Sequence, residues 1–114
     1  MDFKENKAIY LQIAERLMDE ILQDMYKEED RIPSVREYAA IVEVNVNTCV
    51  RAYDWLCQHD IIFTKRGLGY FVSAGAKEHI LTVRRLEFFK EFLPELIQKM
   101  NTLNISKEEI IERL

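Results

Sequence analysis

The chain has 114 residues, 48% of them hydrophobic and 32% charged, the make-up of one globular domain with a short appendage rather than two full domains. No apolar run reaches the roughly 18 residues of a membrane span, and the opening MDFKENKAIY is too polar for a signal peptide, so the expected location is the cytoplasm. The formal net charge of −4 argues at first sight against a nucleic-acid partner, but residues 1–30 hold 4 basic and 9 acidic side chains, residues 31–72 hold 5 and 4, and residues 73–114 hold 7 and 7, which leaves room for a local basic face.

Residues 8–25 place Tyr10, Ile13, Ala14, Leu17, Ile21 and Met25 at the three-to-four spacing of one buried stripe, which predicts a first helix. KEEDRIP breaks the pattern, and Pro33 pushes Ile32 toward an extended backbone. Ser34 with Glu37 three residues on is a capping box, so a second helix starts there and buries Val35, Tyr38, Ala39 and Val42. After a short link at Glu43 and Val44, Asn45 serves as N-cap of a third helix. Its buried stripe is Cys49, Ala52, Tyr53 and Leu56, and its opposite face is Asn47, Arg51, Asp54 and Gln58. Cys49 and Cys57 lie eight residues apart on that helix, roughly 12 Å. That is too far for a disulfide, and both read as small core residues.

IIFTKRGLGYFV then supplies two short β-rich runs around Gly67 and Gly69, a hairpin. Helix, helix, helix, hairpin is the order of a winged helix-turn-helix. The expected fold class is therefore mainly α (α+β), with residues 1–75 as the winged domain. Beyond Gly75 a long helical pattern returns in HILTVRRLEFFKEFLPELIQKMNTL, where Pro94 should bend or restart the helix. A last short helix starts at Ser106, with Glu109 three residues later. Residues 76–114 are expected to form a C-terminal helical dimerisation region.

In a helix-turn-helix the N-terminal end of the second motif helix enters the major groove. There asparagine pairs with adenine, threonine bonds bases or phosphates, and arginine reaches guanine or phosphate. Asn45, Asn47, Thr48 and Arg51 stand at that end. Alone they would serve equally well as a cap and a solvated face, and the hairpin behind them favours groove reading. In the wing, Lys65 and Arg66 would neutralise phosphates while Gly67 and Gly69 let the backbone approach the sugar-phosphate wall. Ser34 caps the second helix, and Arg36 beside it is a phosphate contact. Lys4, Lys7 and Arg31 read as surface charges. Glu28, Glu29 and Asp30 lack a metal-ligand spacing. His59 and His79 have no ligand cluster near them, and no Ser, His and Asp grouping is apparent. No enzyme activity, metal or cofactor is expected; the expected partner is double-stranded DNA.

From Ile9 to Val72 the chain resembles the N-terminal DNA-binding domain of the GntR family of bacterial transcription regulators. The residues that carry the likeness are IYLQIAERLMDEI, RIPSVREYAA, VNVNTCVRAYDWL and RGLGYFV. The remainder, especially FLPELIQKMNTLNISKEEI, looks like the compact YtrA-type subgroup, which lacks the large effector-binding domain typical of the family. The resemblance implies a dimeric, sequence-specific repressor of a palindromic operator, with DNA contacts at Ser34, Arg36, Asn45, Asn47, Thr48, Arg51, Arg66, Gly67 and Gly69. Three places depart from the usual pattern: MYKEED stands before Arg31 in place of glycines and a proline, Val46 replaces a frequent proline, and Glu43 sits where a glycine is usual.

Leu86, Phe89, Leu93, Leu96, Met100 and Leu103 follow the three-four spacing of a packing seam, interrupted by Pro94. The stripe predicts a homodimer, because two recognition helices reading two half-sites give repressor-grade affinity where one reads few base pairs. Its alternative use is to fold back on the winged domain. Two other function classes stay open. One is a winged helix serving as a protein-interaction module, which the overall acidity favours. The other is a ligand-gated sensor with a small-molecule effector in a seam pocket lined by Phe88, Phe89 and Phe92.

Overall fold

The computed structural model of the protein describes Phe3 and residues 6–114, so Lys4 lies outside the described residues. The chain divides into two compact units, Met1–Leu81 and Thr82–Leu114.

In the first unit, α1 (Ile9–Leu22) buries Gln12, Ile13, Ala14, Leu17, Met18 and Ile21. It ends three residues before the expected limit, and Met25 is exposed rather than part of the stripe. The cause is a left-handed turn at Asp24 (φ +63°). The Met25 N–H reaches the Glu20 carbonyl and the Asp24 N–H reaches the Ile21 carbonyl, the two crossed bonds that close a Schellman end. After a further turn with Glu29 at φ +68° the chain runs extended: Arg31 forms a β-bridge with Phe71, and the Ile32 N–H bonds to the Tyr70 carbonyl. The extended backbone expected at Ile32 lies as a third strip beside the hairpin, a pairing the sequence did not suggest.

The Ser34–Glu37 capping box opens α2 (Val35–Val42), which buries Tyr38, Ala39 and Val42 and leaves Val35 half-buried. Asn45 caps α3 (Val46–Gln58), whose buried residues are Cys49, Ala52, Tyr53 and Leu56. The strands β1 (Ile62–Lys65) and β2 (Gly69–Val72) pair antiparallel, with Phe63 opposite Phe71 and Lys65 opposite Gly69. Ile62 and Val72 face the core, where they join Ile32 and Ile61. The helix α4 (Ala76–Glu87) contributes Ala76 and Ile80 to the same core, which explains why the unit continues to Leu81, past the boundary expected at residue 75.

Thr82–Leu114 contains the rest of α4, a π-helical turn at Phe88–Phe92, α5 (Leu93–Leu103) and α6 (Lys107–Arg113). The restart expected at Pro94 takes the form of the π turn. Proline has no N–H for the carbonyl four residues back, and its ring would strike that carbonyl. The turn before it widens instead: the Leu93 N–H bonds to the Phe88 carbonyl, five residues back. Asn104 closes α5 at φ +56°, and Ser106 with Glu109 boxes the start of α6.

The link between α2 and α3 turns on Glu43, held at φ +58° and ψ +53°. A Cβ there costs about 1–2 kcal/mol, which accounts for the glycine usual at this spot. Glu43→Gly is expected to raise the unfolding free energy by about 0.5–1 kcal/mol, the relieved strain less the added freedom of the unfolded glycine. Urea unfolding measures it, and a loss of stability would show that the Glu43 side chain supplies a compensating contact.

Candidate nucleic-acid interface

The N-terminal turn of α3 is built around Asn45. Its Oδ1 accepts the Asn47 N–H at 2.8 Å, which satisfies one of the donors that a helix start leaves open. Bidentate reading of adenine needs both the carbonyl and the amino group of an asparagine. Asn45, with its carbonyl engaged, offers only its amino group, whereas Asn47 is exposed one position into the helix. Arg51 is exposed one turn further on, Thr48 is half-buried, and Asp54 and Gln58 continue the outward face. These positions follow from the helical period, with Cys49, Ala52, Tyr53 and Leu56 pulled into the core on the other side.

Arg51 is not loose. Its guanidinium lies 4.1 Å from the centroid of the Tyr10 ring on α1. Around the pair is a cleft of about 320 Å³, walled also by Ala8, Ile9, Asn47 and Thr48. Tyr10 was expected on the buried stripe, and it is half-buried. Its contact joins residues far apart in sequence, and no local spacing announces it.

At the start of α2 the Ser34 Oγ accepts the Glu37 N–H, and the Ser34 N–H donates to Glu37 Oε1, both at 3.1 Å. Donation from the Ser34 N–H, and then from the Ser34 side chain, holds the Glu37 carboxyl below its usual range. Arg36 is exposed beside this cap.

The wing turns at Arg66, Gly67 and Leu68. Gly67 sits at φ +78°, open on all sides, with Arg66 exposed before it and Leu68 exposed after it. Lys65 does not simply project into solvent: its Nζ lies 4.5 Å from the centroid of the Phe71 ring and 5.7 Å from that of Phe63. Gly69, at φ +112°, has a second reason to be glycine, since a Cβ there would come within 3.2 Å of Arg31 Nε. Arg31, which read as a stray surface charge, therefore lies against the wing. Lys7 pairs with Glu15. All five basic residues of the segment 31–72 are exposed on the helix-turn-helix and the wing.

Of the seam residues, Leu86, Phe89 and Leu103 are exposed, while Leu93, Leu96 and Met100 are half-buried. Phe88 packs edge-on to Phe89 and stacks on Phe92, with ring centroids 5.4 and 5.2 Å apart. A concavity of about 520 Å³ on α5 is lined by Glu95, Gln98, Lys99, Thr102 and Leu103, not by these rings. Cys49 is buried and its thiol is pushed up to about 11 by burial; Cys57 is half-buried and raised for the same reason. Among the described residues, no three His, Cys, Asp or Glu side chains gather as a metal site would require, and no helix is long and apolar enough to cross a membrane.

A three-helix core that presents the tip of its third helix beside a glycine-turned basic hairpin is the architecture of winged helix-turn-helix regulators of transcription. Residues 9–72 match the bacterial regulatory proteins of the gntR family, and the chain belongs to that family. It is 34% identical to the HTH-type transcriptional repressor YtrA of Bacillus subtilis (strain 168) over 112 residues, covering 98% of this chain and 85% of YtrA. Over 110 residues it is also 34% identical to YhcF of the same strain, an uncharacterised HTH-type transcriptional regulator, covering 96% of this chain and 89% of YhcF. The crystal structure of a protein from Bacteroides thetaiotaomicron assigned to the GntR family superposes with a TM-score of 0.80 at 48% identity, covering 92% of this chain and 91% of that one. The likeness to YtrA runs through the helices after the wing, so the compact YtrA-type organisation extends over the whole chain.

Capping and DNA contact are separable at Asn45. Asn45→Ala should lower the unfolding free energy by about 1 kcal/mol, whereas Asn45→Asp keeps a side-chain acceptor for the Asn47 N–H and should stay near wild type. Thermal or urea melting of the two variants checks it. Equal losses in both would mean that the amino group, not the cap, is what the fold uses.

Proposed function

We propose that the protein is a cytoplasmic repressor that binds a palindromic operator as a homodimer. The observation that carries this is the outward row of Asn47 and Arg51 at the start of α3, where the core holds the other side of the helix. These are the side-chain types that pair with adenine and guanine edges in the major groove. Arg36, Lys65 and Arg66 are the phosphate contacts that set register and supply most of the non-specific affinity. Ser34 adds a hydroxyl at the start of α2, Thr48 one at the groove, and Asn45 an amino group. Gly67 and Gly69 bring the wing backbone close to the duplex. The name of YtrA as a repressor supports the sign of regulation.

Dimerisation is the proposed use of Leu86, Phe89, Leu93, Leu96, Met100 and Leu103. Phe88, Phe92, Ile97 and Ile111 are exposed alongside Leu86, Phe89 and Leu103, and large apolar side chains open to water are the kind of surface that marks an interaction site. A second copy supplies both the cover and the second recognition helix.

Selection from a random duplex pool tests specificity and symmetry together: a two-fold site is expected, and an asymmetric site bound by a monomer would overturn the proposal. Arg51→Ala should cost roughly 1–3 kcal/mol and relax the preference at particular base pairs. Lys65→Ala should weaken all sequences alike and flatten the salt dependence by about one phosphate contact. The double variant Leu93→Glu, Leu96→Glu places unpaired charges in the seam and should sediment as a folded monomer with much weaker operator binding. A double variant that stays dimeric would rule out this seam.

A further inference from the structure

Tyr10 belongs to the first turn of α1, yet its ring meets a side chain of α3. The Arg51 guanidinium lies 4.1 Å from the ring centroid, at the wall of the cleft that also holds Asn47 and Thr48. The ring is half-buried and packs against the core, so one partner keeps it in place while it holds another.

A cation over an aromatic ring is attracted by the negative face of the ring. For arginine this contact uses the flat face of the guanidinium. Its five N–H donors lie in the plane and point out from the edge. Stacking therefore uses up none of the donors, and the fork that matches O6 and N7 of guanine remains available. An arginine without such a support samples many rotamers on an exposed helix face and loses that freedom when it engages a base. With the ring beneath it, much of the loss has already occurred before DNA arrives, which is the general advantage of a preorganised contact.

We infer that Tyr10 is a positioning residue for base recognition: by holding Arg51, a side chain of the first helix sets how sharply the third helix discriminates at one position of the operator. This rests on the proposal that Arg51 reads a base.

The test is duplex selection and affinity measurement on the full chain, with Tyr10→Phe, Tyr10→Leu, Arg51→Ala and the combination of Tyr10→Leu with Arg51→Ala. Tyr10→Phe keeps the ring face and should keep the preference. Tyr10→Leu keeps an apolar side chain without the ring, and should relax the preference roughly two- to fivefold at the position that Arg51→Ala relaxes, and at no other. In the Arg51→Ala background Tyr10→Leu should change nothing further. That cycle reads coupling, so a lower melting temperature of Tyr10→Leu cannot imitate the result. The role of Tyr10 is overturned if Tyr10→Leu matches wild type at every position, if its loss is spread evenly over the site, or if it adds in full to Arg51→Ala. A wild-type chain that selects no sequence sinks the DNA proposal itself, and the role of Tyr10 with it.

Discussion

The buried side chain of Tyr53 joins three parts of the winged unit. It donates to the Pro33 carbonyl at 2.7 Å, at the point where the chain enters α2. Its ring meets Tyr70 of the wing edge-on, with centroids 4.8 Å apart, and tilts against Tyr38 of α2 at 6.1 Å. Burial raises the pKa of the hydroxyl far above the usual tyrosine range, so it stays a neutral donor. Removing the hydroxyl would leave the half-buried Pro33 carbonyl without this bond, at a cost of about 1 kcal/mol. Because Tyr53 is on the inner side of α3, this one side chain ties the outward row of Asn47 and Arg51 to both neighbouring elements. Tyr38 has a second such bond, to Glu20 Oε1 on α1 at 2.5 Å.

An acidic chain with a proposed DNA-reading face presents an electrostatic puzzle, and the placement of its charges resolves part of it. Glu20 accepts from Tyr38, Glu28 accepts the Gly75 N–H at 2.9 Å, and Glu37 belongs to the α2 cap. Asp24 pairs with Lys77 at 2.6 Å, which draws its carboxyl below the usual range. These acids join helix ends and loops and keep their charge there, with Lys77 offsetting that of Asp24. Meanwhile Arg31, Arg36, Arg51, Lys65 and Arg66 remain exposed. A formal charge of −4 therefore describes the total and not the field at the tip of α3.

The parts that were legible in the sequence are those whose cause is local. Ser34 with Glu37, Asn45 and Ser106 with Glu109 mark helix starts because a cap and its acceptor lie within a few residues. The outward face of α3 follows from its period. The end of α1 was not legible, because a Schellman end usually advertises itself by glycine, and here Asp24 takes the left-handed position. Nor were the contacts that tune the candidate interface. Tyr10 with Arg51 and Arg31 over Gly69 join elements that only the tertiary fold brings together, and Lys65 with Phe71 depends on the exact register of the hairpin. The spacing of the apolar stripe was visible, but an unbroken spacing assumes an unbroken α-helix.

That assumption fails at Phe88–Phe92. Closing a turn over five residues instead of four inserts one extra position, and each position of an α-helix is worth about 100° of azimuth. Everything beyond the π turn is set back by roughly that angle. Leu86 and Phe89 therefore look along one direction, and Leu93, Leu96, Met100 and Leu103 along another, about a quarter turn away. A straight helix laid alongside could follow one of these groups but not both. A partner that covers the two must cross the axis obliquely or bring two separate surfaces, so the phase slip at the phenylalanines selects by shape among the apolar faces that could cover this one.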